Sequence, residues 1–250
     1  LNNLQKKGQK ALIMALVATT ILFTFSFIMK NPTRIIFFGD SITEMGVQKD
    51  GYIDKIQSYL KSKGLDSQYE LIGAGIGGNK VYDLYLRLEE DVLLKDPDIV
   101  IVWVGVNDVW HKVWGTGTDA DKFEKFYTAL INRIKAGGAE VILCTPAVIG
   151  ERTDFTNQLD GDLNLYSQII RDLATTNQCK LVDLRQLFLA HNLQNNTKNL
   201  EKGILTTDGV HLNNEGNQLA ADAMLNAIFP DLKKRQDIRS KHERIYNDED

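Results

Sequence analysis

The chain has 250 residues, 43% hydrophobic and 25% charged, an ordinary globular composition that allows one sizeable core. Its net charge of −4 leaves no electrostatic footprint for nucleic acid. Two cysteines, Cys144 and Cys179, exclude a disulfide framework and a four-ligand zinc site, and both are expected as free thiols.

The first ten residues are basic, with Lys6, Lys7 and Lys10, and are read as a cytoplasmic N-terminus. Ala11 to Met29 carries no charge and is close to the ~20 residues that span a bilayer. Residues 11–29 therefore read as a transmembrane signal-anchor, with a signal peptide as the alternative. The lysines would stay in the cytoplasm, which makes the remainder membrane-anchored or secreted and extracytoplasmic. Residues 30–230 are expected to form the folded domain, and the mostly charged residues 231–250 a solvated tail.

Arg34 to Phe38 is the first strand, an apolar run that ends at Gly39-Asp40-Ser41. A serine between a buried strand and a helix is placed to act as a nucleophile. Tyr52, Ile53, Ile56, Tyr59 and Leu60 recur at helical spacing. Tyr69 to Ile72 is a second strand, followed by the block Gly73-Ala74-Gly75-Ile76-Gly77-Gly78. That block matches a dinucleotide fingerprint at Gly73, Gly75 and Gly78, but no acid ends the next strand at the required distance. A phosphate-loop reading lacks its Ser or Thr, since Lys80 is followed by Val81. The remaining role is an exposed backbone N–H, from Gly75, aimed at an oxyanion.

Val81 to Leu94 reads as one helical stretch closed by Pro97. Ile99 to Val104 is continuously apolar, the mark of a strand covered on both faces, and leads to Gly105-Val106-Asn107-Asp108. The Asn107 amide could donate to the same oxyanion, or close an Asx turn. Phe123, Phe126, Tyr127, Leu130, Ile131 and Ile134 form a helical stripe ended by Gly137-Gly138. Val141 to Cys144 is a fourth strand and Leu181-Val182 a short fifth, with a Leu163–Leu173 amphipathic helix between them. Asp208-Gly209-Val210-His211 precedes the last helix, for which Asn213 or Asn214 is the expected cap. In a turn, that spacing lets the carboxylate reach Nδ1 of His211 and leaves Nε2 facing a serine. Strand and helix alternate five times, which predicts an α/β three-layer sandwich around a five-stranded parallel sheet, with reactive residues at the strands' carboxyl ends.

The four segments, in this order and spacing, resemble the SGNH hydrolases, the GDSL-type esterase/lipase superfamily, over about residues 34–229. The resemblance implies a flavodoxin-like fold with no metal and no organic cofactor. It implies Ser41 as nucleophile, His211 as general base, Asp208 as its orienting partner, and Asp40 as a brace of the nucleophile turn. The Ser41 and Gly75 N–H groups and the Asn107 side chain would form the oxyanion hole. The family's glycine block often begins with asparagine, and Gly73 stands there instead. The implied activity is a serine esterase on a small-molecule or glycan ester, short-acyl or carbohydrate O-acetyl, with an acyl hydrolase of the lysophospholipase/thioesterase type as the alternative. An inactive glycan-binding module is the rival from another class. Trp110 and Trp114 follow the Asn107 segment and are read as loop packing or as stacking platforms for a sugar ring.

Overall fold

The computed structural model describes residues 31–230, and its compact unit begins at Thr33. The strands are β1 (Thr33–Gly39), β2 (Tyr69–Gly75), β3 (Ile99–Trp103), β4 (Glu140–Cys144) and β5 (Lys180–Val182). All neighbours are parallel, in the order β2-β1-β3-β4-β5. This is the doubly wound, flavodoxin-like order, whose strand order reverses between β1 and β3. The helices in chain order are α1 (Ser41–Gly46), α2 (Tyr52–Ser62), α3 (Val81–Leu86), α4 (Leu88–Asp91), α5 (Val106–Trp110), α6 (Ala120–Ala136), α7 (Asp160–Thr176), α8 (Leu184–Asn195) and α9 (Asn214–Ile228).

Successive residues of a strand point to opposite faces, so the apolar strands feed two cores. Ile35, Phe37, Ile101, Trp103, Ile142 and Cys144 pack against α2, α8 and α9. Ile36, Phe38, Val100, Val102, Val141 and Leu143 pack against α3, α4, α6 and α7. The stripes on α2, α6 and α7 are the faces that bury, with Tyr52, Tyr127 and Tyr166 fully enclosed. Asn213 caps α9, its side chain accepting from Gly216 N. Cys144 is buried and Cys179 half-buried, and both are free thiols.

Two elements differ from the reading of the sequence. β2 extends three residues past Ile72 to Gly75, because its glycines pair in register with the buried β1, Gly73 opposite Phe37 and Gly75 opposite Gly39. The single helix expected over Val81–Leu94 breaks at Arg87, where φ is −106° and ψ is 8°, and ends in a 3₁₀ turn at Leu93–Lys95. The short helices α1 and α5 start directly at the carboxyl ends of β1 and β3, the two strands at the switch point. The expectations for residues 1–30 and 231–250, including the membrane segment, lie outside the described residues. Among the described residues no helix is long and apolar enough to cross a membrane.

Candidate active site

β1 brings its chain to a tight exit. A Cβ on Gly39 would lie 2.3 Å from Thr43 Oγ1 and 2.5 Å from the Trp103 carbonyl oxygen, so only glycine fits between β3 and α1. Asp40 then caps α1, its carboxylate accepting from Ile42 N at 3.0 Å. Ser41 is thereby the first residue of the helix, where backbone N–H groups have no intrahelical acceptor. Asp40 is buried, and burial pushes its carboxyl up to about 7 despite the Ile42 N–H.

The opposing side chain comes from a segment 170 residues away. Ser41 Oγ lies 2.9 Å from His211 Nε2, and His211 Nδ1 lies 2.7 Å from Asp208 Oδ2. The turn holds itself. Asp208 Oδ1 accepts from Val210 N at 2.9 Å and His211 N at 2.8 Å. Gly209 takes φ of 101°, and its N–H donates to Thr206 Oγ1 at 3.0 Å. An antiparallel bridge, Thr206 to Leu212, closes the loop behind His211. Burial raises the Asp208 carboxyl, but the hydrogen bonds from His211 and Val210 outweigh it and hold the carboxyl below its ordinary value. Asp208 thus stays anionic beside the imidazole, as a base-orienting carboxylate must.

Gly75 ends β2 directly against α1. Any Cβ there would meet Glu44 N at 2.0 Å and the Asp40 carbonyl oxygen at 2.7 Å. Asn107, buried in the first turn of α5, donates from Nδ2 to the Asn79 carbonyl oxygen at 3.1 Å. That bond uses one of the two amide hydrogens and leaves the other for a ligand. Next to it Asp108 is buried and accepts from Val81 N, and burial pushes its carboxyl up to about 6. Ser41, Gly75 and Asn107 therefore stand at the ends of three adjacent strands, where ligands of open α/β sheets bind.

The sequence profile of the GDSL-like Lipase/Acylhydrolase family matches residues 37–219. The chain belongs to this family. It is an ester hydrolase. The crystal structure of an acetyl xylan esterase, AlAXEase, is 61% identical, superposes with a TM-score of 0.78, and matches 78% of this chain and 100% of its own. The acetylxylan esterase of Geobacillus stearothermophilus is 27% identical over 212 residues, 78% of this chain and 93% of that protein. A more distant relative, the phosphatidylcholine-sterol acyltransferase of Aeromonas hydrophila, is 24% identical over 199 residues, 62% of this chain and 59% of that protein.

Beside the relay stand Trp110 and Trp114, which the sequence offered as loop packing or stacking platforms, and a set of polar residues that carried no signal in the sequence. Trp110, at the end of α5, sets its ring edge-on to His211 at 6.5 Å and meets Trp114 in a tilted contact at 5.6 Å. Beyond Trp110 and Asp208 lies a cleft of about 680 Å³ whose wall includes Arg152, Asn157 and Glu201. Neither Ser41 nor His211 lines that cleft, so the chemistry is placed by the side-chain relay and not by this cavity. His111, opposite the glycine loop, has its pKa lowered by partial burial and by the nearby Lys80 ammonium. Among the described residues no group of three or more His, Cys, Asp or Glu side chains is placed to hold a metal ion.

Proposed function

We propose that this esterase removes acetyl groups from acetylated carbohydrates, acetylated xylan and its oligosaccharides foremost, by a Ser41–His211–Asp208 acyl-enzyme mechanism. The observation that carries it is the relay itself, with 2.9 Å and 2.7 Å steps built from segments far apart in sequence. Ser41 Oγ attacks the acetyl carbonyl as its proton passes to His211 Nε2. The tetrahedral oxyanion is held by the Ser41 N–H, the Gly75 N–H and the Asn107 amide. The intermediate collapses as His211 gives its proton to the leaving sugar hydroxyl, and an acetyl-Ser41 ester remains. Water, deprotonated by His211, then releases acetate along the same path.

The substrate class is supported by the two acetyl xylan esterases, which match most of this chain, and by the polar cleft beside an indole, since a sugar ring stacks on an aromatic face while its hydroxyls meet polar groups. The apolar stretch 11–29 behind three lysines supports a membrane-anchored or secreted enzyme whose catalytic domain is extracytoplasmic, the compartment in which a polysaccharide is accessible.

The test is acetate release from acetylated xylan, with p-nitrophenyl acetate, butyrate and octanoate in parallel, for the full chain and for Ser41→Ala and His211→Ala. Turnover should fall on the order of 10⁴-fold or more in both variants. Acetate should be preferred over the longer esters. Hydrolysis that survives Ser41→Ala removes the serine mechanism, and octanoate preference moves the substrate toward lipids.

A further inference from the structure

His111 belongs neither to the relay nor to the oxyanion donors, yet it stands in the same site. Its backbone N–H donates to the Asn107 carbonyl oxygen, so helical geometry runs from α5 into the 3₁₀ turn His111–Trp114. Residues four apart share a helix face and are about 6 Å apart along its axis. Asn107 is buried, and His111, one turn farther from the end of β3, is partly exposed. This face of α5 therefore runs from the floor of the site to its rim.

Contacts close a circuit around the reacting pair. Ser41 Oγ lies 2.9 Å from His211 Nε2, the His211 ring 6.5 Å from the Trp110 ring, and the Trp110 ring 5.9 Å from the His111 ring. A Cβ on Gly78 would stand 3.9 Å from His111 Cε1, and one on Gly77 3.9 Å from Ser41 Cβ. Both glycines are exposed, so the stretch of chain between His111 and Ser41 carries no side chain of its own.

We propose that His111 is a specificity residue, binding a free sugar hydroxyl next to the reacting acetyl ester, so that the enzyme prefers partly acetylated sugars to fully acetylated ones. The proposal rests on the reading above that Ser41 is acylated by a carbohydrate acetyl ester. The His111 ring also packs against Trp114 at 5.1 Å, but among the described residues neither of its nitrogens has a hydrogen-bond partner. Partial burial and the Lys80 ammonium lower its pKa, which keeps the imidazole neutral at neutral pH. A neutral imidazole has one nitrogen that donates and one that accepts. A hydroxyl also donates and accepts. An indole offers only its N–H donor, so Trp110 and Trp114 can stack on a sugar but cannot accept from its hydroxyl. The neighbouring hydroxyl sits on the ring carbon beside the esterified one, and a sugar that presents its acetyl to Ser41 carries that hydroxyl toward the rim where His111 stands. An acetyl group in its place has no proton to donate and leaves the accepting nitrogen unpaired.

His111→Phe and His111→Gln in the full chain test this. Phenylalanine keeps a ring against the two indoles and removes both nitrogens; glutamine keeps one donor and one acceptor. Acetate release is measured on a methyl xyloside carrying one acetyl group, on the fully acetylated methyl xyloside and on p-nitrophenyl acetate. For His111→Phe the loss of kcat/KM on the monoacetyl xyloside should exceed the loss on either other ester by about 3- to 10-fold, the size of one neutral hydrogen bond. That loss should lie in KM more than in kcat, and His111→Gln should recover part of it. If a melt shows His111→Phe to be unfolded, His111→Ala takes its place in the same comparison. A variant that keeps the wild-type preference between the two xylosides, or equal losses on all three esters, would overturn the proposal. Wild-type hydrolysis of p-nitrophenyl acetate with neither xyloside turned over is a separate outcome, which removes the carbohydrate reading and this proposal with it.

Discussion

Gly75 sits where a side chain has no room, and the reason is contact and not conformation. Its φ lies in the ordinary extended range, yet a Cβ would come within 2.0 Å of Glu44 N and 2.5 Å of the Thr43 carbonyl carbon. Those are backbone atoms of the helix that carries Ser41, so they cannot swing aside. Gly75→Ala should push the tip of β2 away from α1, lowering kcat on p-nitrophenyl acetate on the order of 10²-fold, a donor-sized loss, and lowering the melting temperature as well. An alanine variant with full kcat would show that the Gly75 N–H has no part in the reaction. The Ser41, Asp208 and His211 segments were legible in the sequence because side-chain chemistry marks them. Arg87 and Asn79 were not, because a lone arginine on a helical stretch reads as a solvated charge until the chain brings its guanidinium to the ends of β1 and β2 and to the Asn79 side chain.

At the scale of elements, the site is set by where helices begin. Asp40 caps α1, and Asp108 receives the first N–H of α3 from the start of α5. Both carboxyls are buried, and burial lifts them from 3.8 to about 7 and about 6. A folded-state pKa above the unfolded one means the native state holds its proton longer. Stability from these two groups is therefore greatest below about pH 4 and declines as pH rises through about 6 and 7. Asp183 has the opposite sign: Arg171, at 2.8 Å and 3.0 Å, draws its carboxyl down despite burial, so its stabilisation is lost as pH falls below 3.8 toward its lowered pKa. Asp108→Asn keeps an acceptor for Val81 N but cannot ionise. Melting curves from pH 4 to 7 should decline less steeply for this variant than for the wild type, and equal slopes would show that Asp108 is not a source of the decline. The strands were readable at this scale because apolar runs of Val, Ile and Phe have few other fates. The extension of β2 through three glycine-block residues was not, since glycine has weak strand preference and only pairing with β1 decides it.

For the whole molecule, the question is what carries His211 to Ser41 across the sheet. The loop of residues 201–212 is docked onto the chain that leaves β4. Glu151, 1% exposed, accepts from Ile204 N at 2.8 Å and Leu205 N at 2.6 Å. Backbone bonds from Glu151 N to Glu201 O and from Gly150 N to Gly209 O continue the seam to the residue beside Asp208. Glu151→Ala would strand two N–H groups, at about 1–3 kcal/mol each. At roughly 2–4 °C per kcal/mol for a domain of this size, the melting temperature should fall by several degrees or more. The kcat should fall with it, because the Ser41–His211 distance depends on this seam. A melt unchanged within a degree would show that the loop stands on its own. Arg185 braces the same exit, its buried guanidinium bonded to Asn164, Ala147 O and Asp160.

The sequence by itself determined the layers and the cast of the chemistry. Apolar periodicity is a local property that dictates which face is buried, and a serine, a histidine and their carboxylate are rare enough at strand ends to be seen one by one. Only the tertiary structure decided the 2.9 Å approach of Ser41 to His211, the clamp of Arg87 on the Gly75 peptide and the Glu151 seam. The first joins two side chains 170 positions apart; the other two tie a side chain to a backbone carbonyl or N–H 13 and 54 positions away, groups that every residue owns alike. No residue type announces such bonds, and they exist only once the sheet has set the spacing of its strand ends.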